Sequence, residues 1–153
     1  RVEGRLAALG TQVLLTHGAV ASSLTSEHDR ADFANRVQAD LVIAIHVDCS
    51  PSERPNGLAT FYFGDPHGGV HSTGGRALAE RIQEELLAQT ALLDCRTHPR
   101  TWDLLRMTRM PAVRIDLGYA SNSADAARHS DPAFIDAAAE GIARALTAFC
   151  APD

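Results

Sequence analysis

At 153 residues, 45% of them hydrophobic and 22% charged, the chain can bury one ordinary core and has the composition of a globular domain. A formal charge of −5 excludes the excess of positive charge on which general nucleic-acid binding depends. No run approaches the roughly 18 apolar residues that a membrane span needs.

The elements follow in chain order. "VEGRLAAL" (2–9) reads as a helix closed by Gly10, and "TQVLLT" (11–16) as a short apolar strand. "TSEHDRADFANRVQ" (25–38) has Ser26 or Asp29 as cap and Phe33, Ala34 and Val37 on one face, which predicts a helix. "ADLVIAIHVD" (39–48) is a nearly continuous β-branched run, the pattern of a strand buried on both faces. "LATFYF" (58–63) is a strand entered from the turn signal Pro55-Asn56-Gly57. Ser72 caps a long helix to about Gln89, with Leu78, Ile82 and Leu86 on one side. "RTWDLLRM" (100–107) fits helix and strand equally. "AVRIDL" (112–117) is a strand, and Asp131-Pro132 opens a closing helix with the stripe Ile135, Ala138, Ile142, Leu146 and Phe149 and an i,i+4 pair, Glu140 and Arg144. Alternation at this density predicts an α/β fold: a single domain over 1–153, with a mostly parallel twisted sheet flanked by helices on both faces.

The strand order has a functional corollary. His46 and Asp116 stand at the carboxyl ends of two predicted strands, where open α/β sheets bind ligands. If those strands are parallel, the two residues share one rim. An acid directly after an apolar strand needs a partner or a use. Asp116 is therefore a catalyst, the remains of one, or a structural acid paired locally, and the second reading is the one preferred.

Other chemistry-bearing residues divide as follows. All 14 basic residues are arginine, and Arg96, Arg100, Arg106, Arg109 and Arg114 crowd one span. A solvated rim is the plain expectation, and an anion- or partner-docking surface on Arg106, Arg109 and Arg114 is the alternative. Cys49, Cys95 and Cys150 carry no CxxC spacing, which predicts reduced, buried thiols and a cytosolic setting, with export as the alternative. His17 could face the rim from a strand end. "GDPHGG" (64–69), with His67 and His71, reads as a surface loop. His28, His98 and His129 show no ligand pattern, and strand alternation turns Cys49 away from His46 and Asp48. "STGGR" (72–76) follows a loop instead of a strand and so does not make a phosphate-binding loop.

Two motifs carry a family resemblance. "DRADFANRVQADLVIAIHVD" is similar to an R-x-x-x-A-N, A-D-L, I-x-I-H-x-N signature, and "PAVRIDLGYASN" to P-A-V-L-V-E-x-G-F-x-S-N. "LLRM" ahead of Pro111 adds to the match. The chain thus resembles the zinc-dependent N-acetylmuramoyl-L-alanine amidases of the amidase-3 type, which cut the bond between muramic acid and the stem peptide of peptidoglycan. Within them it is most similar to an actinobacterial, CwlM-like subgroup.

The resemblance implies that His46 stands at a zinc-ligand position and Asp116 at that of the catalytic glutamate. Family members begin with a strand bearing a G-H-G-G histidine ligand and then a glutamate ligand. The expectation is that this chain begins after them, with the first strand missing. Zinc is then expected only if a preceding segment supplies further ligands, and otherwise no cofactor. Aspartate also shortens the reach by one methylene, about 1.5 Å. The preferred expectation is a pseudoenzyme that regulates peptidoglycan synthesis by binding a muropeptide-like ligand or a cell-wall-synthesis protein. An active zinc amidase is the alternative.

Overall fold

A computed structural model of the chain describes residues 1–16 and 26–151. The elements run α1 (Val2–Ala8), α2 (Glu27–Arg36), β1 (Val42–Asp48), β2 (Leu58–Phe63), α3 (Thr73–Gln89), β3 (Asp94–Arg100), α4 (Asp103–Met107), β4 (Ala112–Tyr119), α5 (Ser123–His129) and α6 (Pro132–Cys150). One sheet has the order β1-β4-β2-β3. β1 runs parallel to β4 and β2 parallel to β3, while β2 and β4 are antiparallel. The sheet is mostly parallel, as the alternation of elements predicts, with one antiparallel junction.

Helices cover both faces. On one, Leu78, Ile82 and Leu86 of α3 and Ile142 and Leu146 of α6 close over Leu58, Val113, Ile115 and Leu117. The three α3 residues are fully buried, so the spacing of four had marked the packed side of the helix. The α3 start is capped as expected, the Ser72 hydroxyl accepting from the Gly75 N–H at 2.9 Å. Ser26 caps α2 through the Asp29 N–H at 3.0 Å. On the other face a smaller cluster joins Phe61, Leu105 and Ala112 to Val42, Ala59, Phe63 and Trp102. The Glu140–Arg144 pair forms at 2.8 Å, and Glu140 also accepts from Arg5 of α1 at 3.2 Å.

Four expectations change. "TQVLLT" is not a strand: Leu14 and Leu15 are 50% and 57% exposed, and no sheet partner reaches them. β1 is not buried on both faces: among the described residues it pairs only with β4, and Ile45 and Val47 are each 46% exposed. The 100–107 span, which fits helix and strand equally, proves to be the end of a strand at Arg100 and a short helix, because Asp94–Arg100 pairs with β2 before the chain turns at Thr101-Trp102. Cys49 and Cys150 are exposed and Cys95 half-buried, so none is a core thiol, although all three are free.

Candidate functional site

The site begins with strand alternation. On β4, Val113, Ile115 and Leu117 point into the α3–α6 core, which turns Ala112, Arg114 and Asp116 to the opposite face. The parallel register sets Val42 against Ala112, Ala44 against Arg114, and His46 against Asp116. His46 and Asp116 are therefore direct neighbours at the carboxyl ends of adjacent strands. The apolar runs that form the strands place this pair at the rim.

Asp116 is only 4% exposed, and its carboxylate is held by its own strand. Arg114 Nε donates to Oδ1 at 2.6 Å and Nη2 to Oδ2 at 3.3 Å, a two-pronged contact of opposite charges. The same guanidinium lies 4.7 Å from the centre of the Trp102 ring, which in turn packs on Phe61 at 4.8 Å. Arg114 is thus fixed between an indole and a carboxylate. Burial, and after it the Arg114 charge, hold the His46 imidazole below its ordinary pKa, while the Asp116 carboxylate pulls it upward. The balance favours a neutral imidazole beside an ion pair.

This set does not fit a catalytic zinc centre. Such a centre takes about three protein ligands and an open position for water. Among the described residues no group of three or more His, Cys, Asp and Glu side chains is arranged to hold a metal ion. The carboxylate beside His46 already serves a guanidinium. As it stands, the pair offers a neutral imidazole for hydrogen bonding and a carboxylate whose two oxygens each accept from Arg114.

The remaining sequence-predicted residues do not join this pair. Arg106 is exposed and donates to Asp103 at 2.7 Å, and Arg109 is exposed near Asn35, which accepts from its backbone N–H. Arg96 and Arg100 stand near opposite ends of β3, so the arginine-rich span is not one patch. His67 and His71 lie in the exposed 65–71 loop. His28 pairs with Asp103 at 3.4 Å, His98 Nε2 meets the Cys95 carbonyl at 2.7 Å, and His129 packs edge-on to Phe134. His17 lies outside the described residues.

The "GYASN" loop is built around a residue the sequence reading missed. Asp125 is fully buried and accepts from the Gly57 N–H at 2.9 Å, the Tyr119 N–H at 3.0 Å and Arg128 Nη1 at 2.8 Å. Asn122 caps α5 through the N–H groups of Ala124 and Asp125 and donates from Nδ2 to the Glu53 carbonyl at 2.7 Å. Ser121 accepts from the Ser50 N–H at 3.1 Å. The loop thereby ties the end of β4 to the segment between β1 and β2.

The profile of the amidase-3 type N-acetylmuramoyl-L-alanine amidases matches residues 1–148. The chain belongs to that family. It is 47% identical over 146 residues to the N-acetylmuramoyl-L-alanine amidase CwlM of Mycobacterium tuberculosis, covering 95% of this chain and 35% of that protein. The CwlM-like resemblance holds, and this amidase domain spans about a third of that relative's length. Among solved structures, the catalytic domain of the amidase CwlV from Bacillus (Paenibacillus) polymyxa var. colistinus superposes with a TM-score of 0.82 at 28% identity, over 97% of this chain and 78% of that one. The CwlD amidase of Clostridioides difficile, solved in complex with the GerS lipoprotein, shares the amidase fold: TM-score 0.84, 22% identity, 97% of this chain and 80% of that one.

Proposed function

We propose that this amidase-like cell-wall domain is a degenerate one, which regulates peptidoglycan synthesis by binding a muropeptide-like ligand or a protein partner without cutting the muramic acid–peptide bond. The observation that carries the reading is the Arg114–Asp116 contact at 2.6 Å on a carboxylate 4% exposed. At the position where the family resemblance expects a glutamate base, the acid is one methylene shorter and engaged by a guanidinium. A displacement of about 1 Å from productive geometry costs on the order of a hundredfold in rate. That CwlD was solved with a protein bound lends support to a protein partner.

The second reading, an active zinc amidase, is favoured by the His46–Asp116 register and by the name of the 47% identical relative. Zinc stoichiometry by elemental analysis of the full-length protein, purified without chelator, separates the two, together with release of stem peptide from muropeptides. Substoichiometric zinc and no release support the degenerate domain. One zinc per chain, lost in His46→Ala, with measurable release, overturns it.

A further inference from the structure

We infer that Arg100, backed by Phe61 and Trp102, forms a subsite for a carboxylate on a peptide ligand. The inference rests on the peptide-binding reading above and extends it to residues that the His46–Asp116 pair does not include.

The register sets Phe61 of β2 against Arg114 of β4, and Phe63 against Arg100 of β3. The Arg100 guanidinium carbon lies 5.3 Å from the Phe61 ring centre and 5.8 Å from that of Trp102, so two aromatic faces fix the cation at the half-buried sheet surface. The Arg100 side chain makes one hydrogen bond among the described residues, from Nη1 to the neighbouring Pro99 carbonyl at 2.9 Å. Its Nε–Nη2 edge meets no acceptor there.

The other cation on the same indole shows what that edge does. Arg114 turns Nε and Nη2 onto the two oxygens of Asp116. One indole therefore carries two guanidinium groups, one with a carboxylate on its fork and one without, which leaves one positive charge unmatched beside apolar rings. A flat, singly charged group fits this fork and these walls. A phosphate can meet the same fork, so inorganic phosphate serves as the competing ligand in the test. Stem peptides carry carboxylates at glutamate and at the chain end, so the ligand class follows from the proposed function.

The test titrates the full-length protein calorimetrically with the tripeptide L-Ala-γ-D-Glu-L-Lys and with the same peptide amidated at both the glutamate α-carboxyl and the chain end. Trp102, the single tryptophan of these 153 residues, gives a fluorescence signal from within the subsite. The free acid is expected to bind about tenfold or more tightly than the amide. Arg100→Gln is expected to erase that difference, and Arg100→Lys to restore only part of it, with unfolding midpoints checked for both. Equal binding of acid and amide, an Arg100→Gln variant that keeps the preference, or inorganic phosphate that binds as tightly as the peptide each overturns the subsite. Zinc content and peptide release decide the degenerate-domain reading separately, so either can fail while the other stands.

Discussion

Gly118 and Asp125 are packed so closely that no other residue fits at position 118. A Cβ there would stand 2.7 Å from Asp125 Oδ2, and the backbone sits at φ +93°. The glycine after Asp116-Leu117 therefore serves the buried carboxylate that organises the loop behind the site. Gly118→Ala is expected to lower the urea midpoint: the left-handed backbone alone costs about 1–2 kcal/mol, and the clash adds to it. Asp125→Ala strands the buried Gly57 N–H at about 1–3 kcal/mol and frees the Tyr119 N–H as well. The same unfolding series reads both.

Removing one member of the Arg114–Asp116 pair is expected to harm stability more than removing both. Arg114→Leu leaves a carboxylate 4% exposed without its counter-ion, a loss of about 3–5 kcal/mol, towards the lower end because the Arg114 side chain keeps 20% exposure. In the double variant Arg114→Leu/Asp116→Leu neither charge is stranded. A double-mutant cycle measured by urea unfolding checks this, and strictly additive losses would contradict it.

The lowered His46 pKa sets a direction for pH dependence in metal-free protein. The unfolded chain takes up a proton near 6.5 and the folded chain only below that, so between the two values the unfolded state binds more protons. Stability is thus full above about 6.5, falls as pH drops through that window, and levels off below the folded pKa. His46→Gln is expected to remove this contribution. Arg114→Leu is expected to move the His46 midpoint upward, since it deletes a lowering charge and leaves the raising one on Asp116. Imidazole proton shifts followed by NMR across pH read both effects.

Asn122 performs two separable tasks. Asn122→Ala is expected to cost about 1 kcal/mol from the α5 cap alone, and more with the lost tie to Glu53. Asn122→Asp keeps an oxygen for the cap and loses the Nδ2 donor, so it falls between. Thermal unfolding of the two variants separates the contributions.

Much of this was legible in the sequence because it rests on local periodicity. A β-branched run marked β1, apolar runs marked β2 and β4, and a spacing of four marked the packed side of α3. What stayed hidden depends on tertiary context. β3 reads Asp-Cys-Arg-Thr-His-Pro-Arg, with a proline and no apolar alternation, and becomes a strand only through its pairing with β2. α5 is seven residues long without an apolar stripe, so its fully buried Asp125 looks like one more surface acid. The Arg114–Asp116 contact was accessible in principle, since residues two apart on a strand share a face. The stacking of Arg100 on Phe61 and Trp102 was not, because it needs the β4-β2-β3 order.

That two-residue spacing bears on how the site could ever be switched. Both charges ride on β4, an interior strand paired on either side, so a hinge or helix movement that leaves the sheet intact does not change the backbone spacing of Arg114 and Asp116. Freeing the acid takes a different Arg114 rotamer, a competitor for the guanidinium or a change of residue at position 114. The contact is thus set by neighbours on one strand, and breaking it is a side-chain event at position 114 instead of a movement of whole elements.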